Sequence, residues 1–333
     1  MDSSNQQRPL TRRRALITGV GGQDGSYLAE WLLEHGYEVH GVVRASSKIG
    51  ADLKDRLTSI SVIDLTAPHL LADLIRQVRP DEIYHLAAHH FSSQVTEKSA
   101  DLELFLSVNL LTAQIVLEVL RDSLPKSRFF YAASCRIFGV PGVCPQTEMT
   151  PQRPNTPYAI SKSAGLHLCR YYREEYDLHA TAGILYNHES PRRPASFVTT
   201  QIALAAARAF VGKAEPLTIR DLDAIVDWGA AHDYVQAMWL TLQQPAGDEY
   251  IIASGFPRTV RDFANEAFDY LGLRADEFIF QDPKTIRDER PPYVGDSSRI
   301  RTICGWVPSI SFRDLVGSMV DVQLQRFKKA QSA

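Results

Sequence analysis

The chain has 333 residues, 44% hydrophobic, 23% charged and 9% aromatic, an ordinary globular composition long enough for two domains that excludes disordered, collagen-like and disulfide-scaffold classes. Lys plus Arg number 36 against 39 Asp plus Glu, a net charge of −3, which points to neither nucleic acid nor an anionic membrane as partner. No apolar run reads as reaching the ~18–20 residues of a membrane span, and the cysteines Cys135, Cys144, Cys169 and Cys304, without CxxC spacing, read as reduced thiols of a cytoplasmic protein with no metal site.

Residues 1–13 are polar and basic and read as a flexible leader. Ala15 to Thr18 is a short apolar strand running into Gly19-Val20-Gly21-Gly22-Gln23-Asp24-Gly25. A helix over Ser26–His35 and a second strand over Val39–Val43 follow, a unit of the size of one parallel crossover. Strand-like Ile60–Ile63, helical Pro68–Val78, strand-like Glu82–Leu86 and helical Val108–Arg121 continue the alternation. Arg128–Ala133, Tyr158–Tyr176 and Ala182–Tyr186 then read as strand, helix and strand. Alternation of this kind predicts an α/β fold with a Rossmann-type, doubly wound parallel sheet.

Beyond Asn187 the rhythm loosens: helices are predicted over Phe197–Val211, Asp233–Gln243, Arg261–Leu271 and Phe312–Arg326, with a strand over Tyr250–Ser254. Residues 14–186 form the expected dinucleotide-binding domain, to which 224–255 return. Residues 187–223 and 256–333 form a smaller C-terminal substrate-binding lobe, with the ligand cleft between the two.

Gly19, Gly22 and Gly25 sit between a strand and a helix, where small residues let the backbone approach a pyrophosphate at the helix N-terminus; Gln23 and Asp24 belong to the same loop. An acidic residue at the end of the second strand would suit NAD. This chain has Arg44, Ser46, Ser47 and Lys48, donors that suit the 2′-phosphate of NADP.

Tyr158 and Lys162 lie four residues apart, on one face of a helix. Lys162 is expected to draw the phenol from its ordinary ~10 toward neutrality, making a base for hydride transfer. Ser134, ending the preceding strand, is placed to hydrogen-bond the reacting oxygen. YxxxK alone is common by chance; the glycine loop upstream and the strand-end serine give it weight.

With these residues in place, the chain resembles the extended short-chain dehydrogenase/reductases, and within them the GDP-mannose 4,6-dehydratases. The resemblance runs from Thr18 to about Trp306, carried by TGVGGQDGSYLAE at its start, ILYNHESPRR at 184–193 and Asp227-Trp228-Gly229. It implies that Asp64, Leu65, Leu86, Ala87 and Ala88 line the adenine and ribose, and that His188 and Arg193 contact the cofactor. Asn187, with His89, Arg192 and Val198, would line a nucleotide sugar, a GDP-sugar being favoured. Asn109 completes the hydride-transfer set. The resemblance also implies a homodimer through Val108–Arg121 and Tyr158–Tyr176, or a homotetramer around the loop 44–56.

The chain departs from that pattern where the family has Thr-Ser-Glu, reading Ser134, Cys135 and Arg136 instead. A guanidinium stays protonated and cannot replace a carboxyl in water elimination. Cys135 is either a substitute acid–base group, its thiol lowered by Arg136, or a packing residue. His89 and His90 replace Gln-Ser. The family's basic contacts to the diphosphate fall on Thr200, Gln201, Thr218 and Val226, leaving Arg192, Arg208, Lys213, Arg220, Arg287 and Arg290 as possible replacements. The alternatives are dehydration, 4-dehydrogenation, 4-keto reduction or epimerisation, or NADP(H) binding without turnover.

Overall fold

Successive residues of β1 (Arg14–Thr18) face opposite layers of the molecule: Leu16 packs into one apolar core, Ala15 and Ile17 into another, all without solvent exposure. A strand buried on both faces reads as an unbroken apolar run, because helices cover a parallel sheet on either side. The computed structural model describes residues 12–45, 49–67, 69–89, 102–284 and 292–331.

Around β1 stand β2 (Glu38–Val43), β3 (Ser59–Val62), β4 (Glu82–His85), β5 (Arg128–Ser134), β6 (Ala180–Leu185) and β10 (Glu249–Ile252). All seven are parallel in the order β10-β6-β5-β4-β1-β2-β3, the predicted doubly wound sheet. The strand order reverses between β1 and β4, and a crevice at the carboxyl ends of such strands is where ligands bind.

One face is covered by α3 (His69–Val78), α5 (Thr112–Ser123) and α6 (Pro157–Tyr176), through Leu71, Val116, Leu120 and Leu166. The other is covered by α1 (Gln23–Glu34) and α8 (Ala231–Leu242), through Leu28, Leu32, Val235 and Met238. A short α2 (Ala51–Arg56) precedes β3. Helix α1 starts three residues before its sequence-predicted beginning, because the last residues of the glycine loop are already helical.

Before α5 the chain forms α4 (Leu102–Leu106) and a π turn over Ser107–Leu111. The joined segment Leu102–Ser123 has 22 residues and a mean hydropathy of 1.6, long and apolar enough to cross a membrane by length and composition. This amends the sequence reading, which began that helix at Val108. The segment packs against α3 and α6, as a core helix does.

Beyond residue 186, apart from α8, β10 and the helix Ser298–Cys304, the chain forms two small sheets with their own helices. β7 (Asn187–Glu189) pairs in parallel with β9 (Ile225–Ala230), which pairs antiparallel with β11 (Pro257–Thr259); β8 (Leu217–Ile219) pairs in parallel with β12 (Ile279–Gln281). Helices α7 (Val198–Phe210), α9 (Val260–Asp269) and α11 (Phe312–Gln331) pack with Trp228 and Ala230 of β9 into a third core. α10 (Ser298–Cys304) lies on α8 and β10. β10 is an edge strand, and its outward Ile251 N–H donates to Glu148 Oε1 at 2.9 Å.

Candidate active site

Three elements bring the predicted hydride-transfer residues to the carboxyl end of the sheet. Ser134 ends β5, and its oxygen accepts the Arg136 N–H at 3.3 Å, capping the 3-10 turn of Cys135–Phe138. Tyr158 opens α6, which starts where it does because Thr156 Oγ1 accepts the Ala159 N–H at 3.2 Å and Pro157 fits a first turn that has no need of its N–H. One turn on, Lys162 is buried and donates to the Ala132 carbonyl at 2.7 Å, its ammonium 5.9 Å from the Tyr158 ring centre.

The π turn delivers Asn109. Its Oδ1 accepts the His89 N–H at 2.9 Å, and its Nδ2 donates to the His89 carbonyl at 3.1 Å and to Ser161 Oγ at 3.0 Å. The Tyr131 hydroxyl holds the Asn109 carbonyl at 2.8 Å. Asn109 thereby fixes the chain leaving β4 against α6. His89, whose ring lies 4.7 Å from that of Phe105, is held through its backbone; His90 lies outside the described residues.

Electrostatics here differ from the sequence expectation. Burial pushes the Tyr158 phenol up to about 12, against a lowering hydrogen bond from Ser134 and the charges of Arg136 and Arg193. Burial likewise takes Lys162 down to about 7, and its ammonium is directed at a carbonyl, not at the phenol. Cys135 is buried in the same apolar core as Leu16, and its thiol is pushed up to about 12, burial outweighing the Arg136 charge.

The glycine loop faces this cluster across the β1–β4 crevice. Gly19 has φ +78°, and a Cβ there would sit 2.9 Å from the Ala87 nitrogen. A Cβ on Gly25 would lie 2.2 Å from the Gly19 carbonyl oxygen, so the first turn of α1 can press against the loop only because Gly25 has no side chain. Gly22 is the N-cap and supplies no side-chain cap, which leaves the N–H groups of the first turn to an incoming anion. These features fit a dinucleotide's pyrophosphate.

Leu86 and Ala87 are half-buried and Ala88 is exposed at the exit of β4, with the Ala87 N–H on Thr18 Oγ1 at 3.2 Å. Leu65 is buried, whereas Asp64 is exposed and accepts from the Thr66 N–H and hydroxyl at 2.9 and 2.8 Å. Arg44 is exposed just past β2; Ser46, Ser47 and Lys48 lie outside the described residues.

His188 and Asp24 turn out to be partners of each other. His188 Nε2 lies 2.9 Å from Asp24 Oδ2, and its Nδ1 lies 2.7 Å from the Tyr186 carbonyl. Burial alone would pull the imidazole down, but the Asp24 charge and hydrogen bond leave it above its ordinary value. Burial would raise the Asp24 carboxyl, and His188, Gln23 and Arg193 bring it below its ordinary value. Gln23 adds two bonds, donating to the His188 carbonyl at 3.1 Å and accepting from Ser190 Oγ at 2.8 Å. No short-range pattern joins positions 164 residues apart, so the sequence could not have paired them.

The candidate substrate cations are mostly committed elsewhere. Arg192 donates to both Glu30 carboxylate oxygens at 2.8 Å and lies over the Tyr27 ring at 3.9 Å. Arg193 lies 3.2 Å from Glu189 and over Phe197, and Arg208 pairs with Glu215 at 2.9 Å. Lys213 and Arg220 are exposed, whereas Arg287 and Arg290 lie outside the described residues. Asn187 is exposed on β7, and Val198 is half-buried at the start of α7.

Two further residues had no role at the site in the sequence reading, where Asp227 entered only as part of the motif Asp227-Trp228-Gly229. Asp227, buried on β9, accepts the Ser254 N–H and hydroxyl at 2.9 and 2.6 Å and the Gly255 and Gly295 N–H groups at 3.0 and 3.2 Å, joining three chain segments. Tyr293 lies beneath the Arg136 guanidinium, 5.2 Å from its ring centre. Among the described residues, no cluster of three His, Cys, Asp or Glu side chains could hold a metal.

A family model described as GDP-mannose 4,6 dehydratase matches residues 16–319. GDP-mannose 4,6 dehydratase 2 of Arabidopsis thaliana is 40% identical, the match covering 96% of this chain and 88% of that one. RMD from Pseudomonas aeruginosa, solved with NADPH, superposes with a TM-score of 0.78 at 23% identity, over 94% of this chain and 99% of that one. The dTDP-glucose 4,6-dehydratase of Bacillus anthracis, solved with NAD, gives 0.80 at 18% identity, over 96% and 98%. The two solved structures share the fold; the matches in sequence go further, and by them this chain belongs to the GDP-mannose 4,6 dehydratase family of nucleotide-sugar enzymes.

Proposed function

We propose that the protein binds NADP at the glycine loop and a nucleotide sugar, a GDP-sugar by family, between the lobes, and moves a hydride at ring carbon C4. The observation that carries this reading is that Lys162, its ammonium 5.9 Å from the Tyr158 ring centre, is bonded to the Ala132 carbonyl of β5, two residues before Ser134. When bound, the nicotinamide takes up and returns the hydride. Tyr158 accepts the proton of the sugar hydroxyl, and Ser134 hydrogen-bonds the same oxygen. Lys162, anchored to the Ala132 carbonyl, holds its charge behind the phenol, and Asn109 keeps the β4 exit and α6 in register.

Arg44 supports NADP, because an exposed guanidinium past β2 suits a 2′-phosphate. Gly19, Gly22 and Gly25 admit the pyrophosphate, while Leu65, Leu86 and Ala87 offer surface to the adenosine. His188 and Asp24 serve the cofactor as a strut beneath the loop.

Water elimination needs a group that can take up and release the C5 proton. The family's carboxyl position holds the guanidinium of Arg136, which is no such group, and the neighbouring Cys135 is packed in the apolar core. Oxidation, reduction or epimerisation at C4 is therefore favoured over full dehydration, the reading that family membership favours. Incubating the purified protein with NADP and GDP-mannose and following product mass, NADPH absorbance and the sugar's C4 configuration by NMR separates the two. NADPH formation or epimerisation without loss of water supports the first; loss of water supports dehydration; neither, on any nucleotide sugar, overturns both. Tyr158→Phe should abolish whichever activity is found.

The face of α4, α5 and α6 supports homodimer formation, because Leu102, Leu111, Ile160 and Tyr171 are exposed on it.

A further inference from the structure

Arg136 differs from the other guanidinium groups that flank the cleft. Arg192 is bonded to Glu30 and Arg193 to Glu189. Arg136 has no carboxylate partner among the described residues: its backbone N–H is on Ser134 and its side chain lies over the Tyr293 ring. The turn that carries it is fixed from several sides. The Gly139 N–H donates to the Arg136 carbonyl at 3.0 Å, the Arg153 N–H to the Ile137 carbonyl at 3.0 Å, and the Tyr293 hydroxyl to the Gly139 carbonyl. Gly139 has φ +62°, and a Cβ there would overlap the Arg153 carbonyl oxygen.

A guanidinium placed on a rigid turn, stacked on an aromatic ring and left without a counter-charge is pre-organised for an oxyanion, which its planar fork binds bidentately. Its place in the chain, two residues past Ser134, sets it beside the groups that act on the sugar. We propose that Arg136 reads a negatively charged oxygen of the substrate next to Tyr158, either a carboxylate on the sugar or an oxygen of the nucleotide diphosphate. This rests on the nucleotide-sugar reading above.

Binding of GDP, GDP-mannose and GDP-mannuronate to the NADP-loaded protein tests it by calorimetry, with no turnover required. Arg136→Gln, at an exposed position, should raise Kd about tenfold or more, the scale of one lost charge-assisted pair. A loss confined to GDP-mannuronate assigns Arg136 to the sugar carboxylate, and an equal loss for all three ligands assigns it to the diphosphate. Arg136→Lys should recover only part, since it keeps the charge and loses the fork. Unchanged Kd values for all three in Arg136→Gln, with wild-type binding intact, overturn the proposal alone. A wild-type protein that binds none of them overturns the nucleotide-sugar reading as well.

Discussion

His188 Nε2 and Asp24 Oδ2 meet at 2.9 Å between the first strand of the second lobe and the first turn of α1. Around them Gln23 reaches the His188 carbonyl and Ser190, and Arg192 reaches Ser26 and Glu30. The glycine loop with the start of α1 and the segment 188–192 are therefore tied together by side-chain hydrogen bonds.

That pair has a pH signature. Asp24 is lowered from 3.8, so its stabilisation is present above about that value and is lost as pH falls through the lowered one. His188 is raised from 6.5, so its part is complete below about 6.5 and is lost as pH rises through the raised value. His188→Asn should cost about 2 kcal/mol at pH 6. The difference in Tm from wild type should shrink by pH 9; a difference constant across that range would mean the pair is uncharged.

Lys162 predicts an opposition between stability and activity. Its folded value of about 7 lies below the ordinary 10.5, so the buried charge destabilises the fold most at low pH and progressively less from about 7 upward. Lys162→Met should raise Tm at pH 6, by an increment that narrows toward pH 9. The same variant should lose activity about a hundredfold or more, from the lower end upward of what a positioned acid–base group contributes. Calorimetry and steady-state rates on one preparation check both.

Gly25→Ala places a methyl group against the Gly19 carbonyl and Val20 Cα, backbone atoms that cannot yield. A cost of about 1–3 kcal/mol is expected, with at least about tenfold weaker dinucleotide binding as the loop is displaced. Gly50→Ala, which meets nothing within 4 Å, is the control and should leave both unchanged. NADPH fluorescence titration and thermal unfolding read the two effects.

Leu111→Glu places a charge on the exposed apolar face of the π turn. If that face joins two copies, light scattering should find the variant's mass halved while its Tm and NADPH affinity stay near those of the wild type. A wild-type monomer would remove the face from consideration.

Most of the first 186 residues are legible in sequence because strands such as β1, β5 and β6 are apolar runs buried on both faces, and the longer helices repeat their apolar residues at helical spacing. Gly19, Gly22 and Gly25, and Tyr158 with Lys162, are legible because their chemistry depends on local spacing. The second lobe is less so: β7, β8, β11 and β12 have three residues each, too few for periodicity, and β8 pairs with a strand some sixty residues away. What the side chains do at the site is set by partners distant in sequence. Spacing puts Lys162 near Tyr158, but the buried Ala132 carbonyl near the end of β5 takes its ammonium. Likewise nothing near Arg136 in the chain announces Tyr293.

Strand β10 arrives at the sheet from more than sixty residues beyond β6, and its own outer edge is stoppered by Glu148 at Ile251. A fragment ending at residue 186 would keep the glycine loop and the Tyr158 site yet lay bare one edge of β6, where Ala182–Leu185 pair with β10. Such an edge recruits other chains. The nucleotide-binding half is thus not separable from the rest, and attempts to express it alone should yield insoluble material unless the segment through 255 is carried with it.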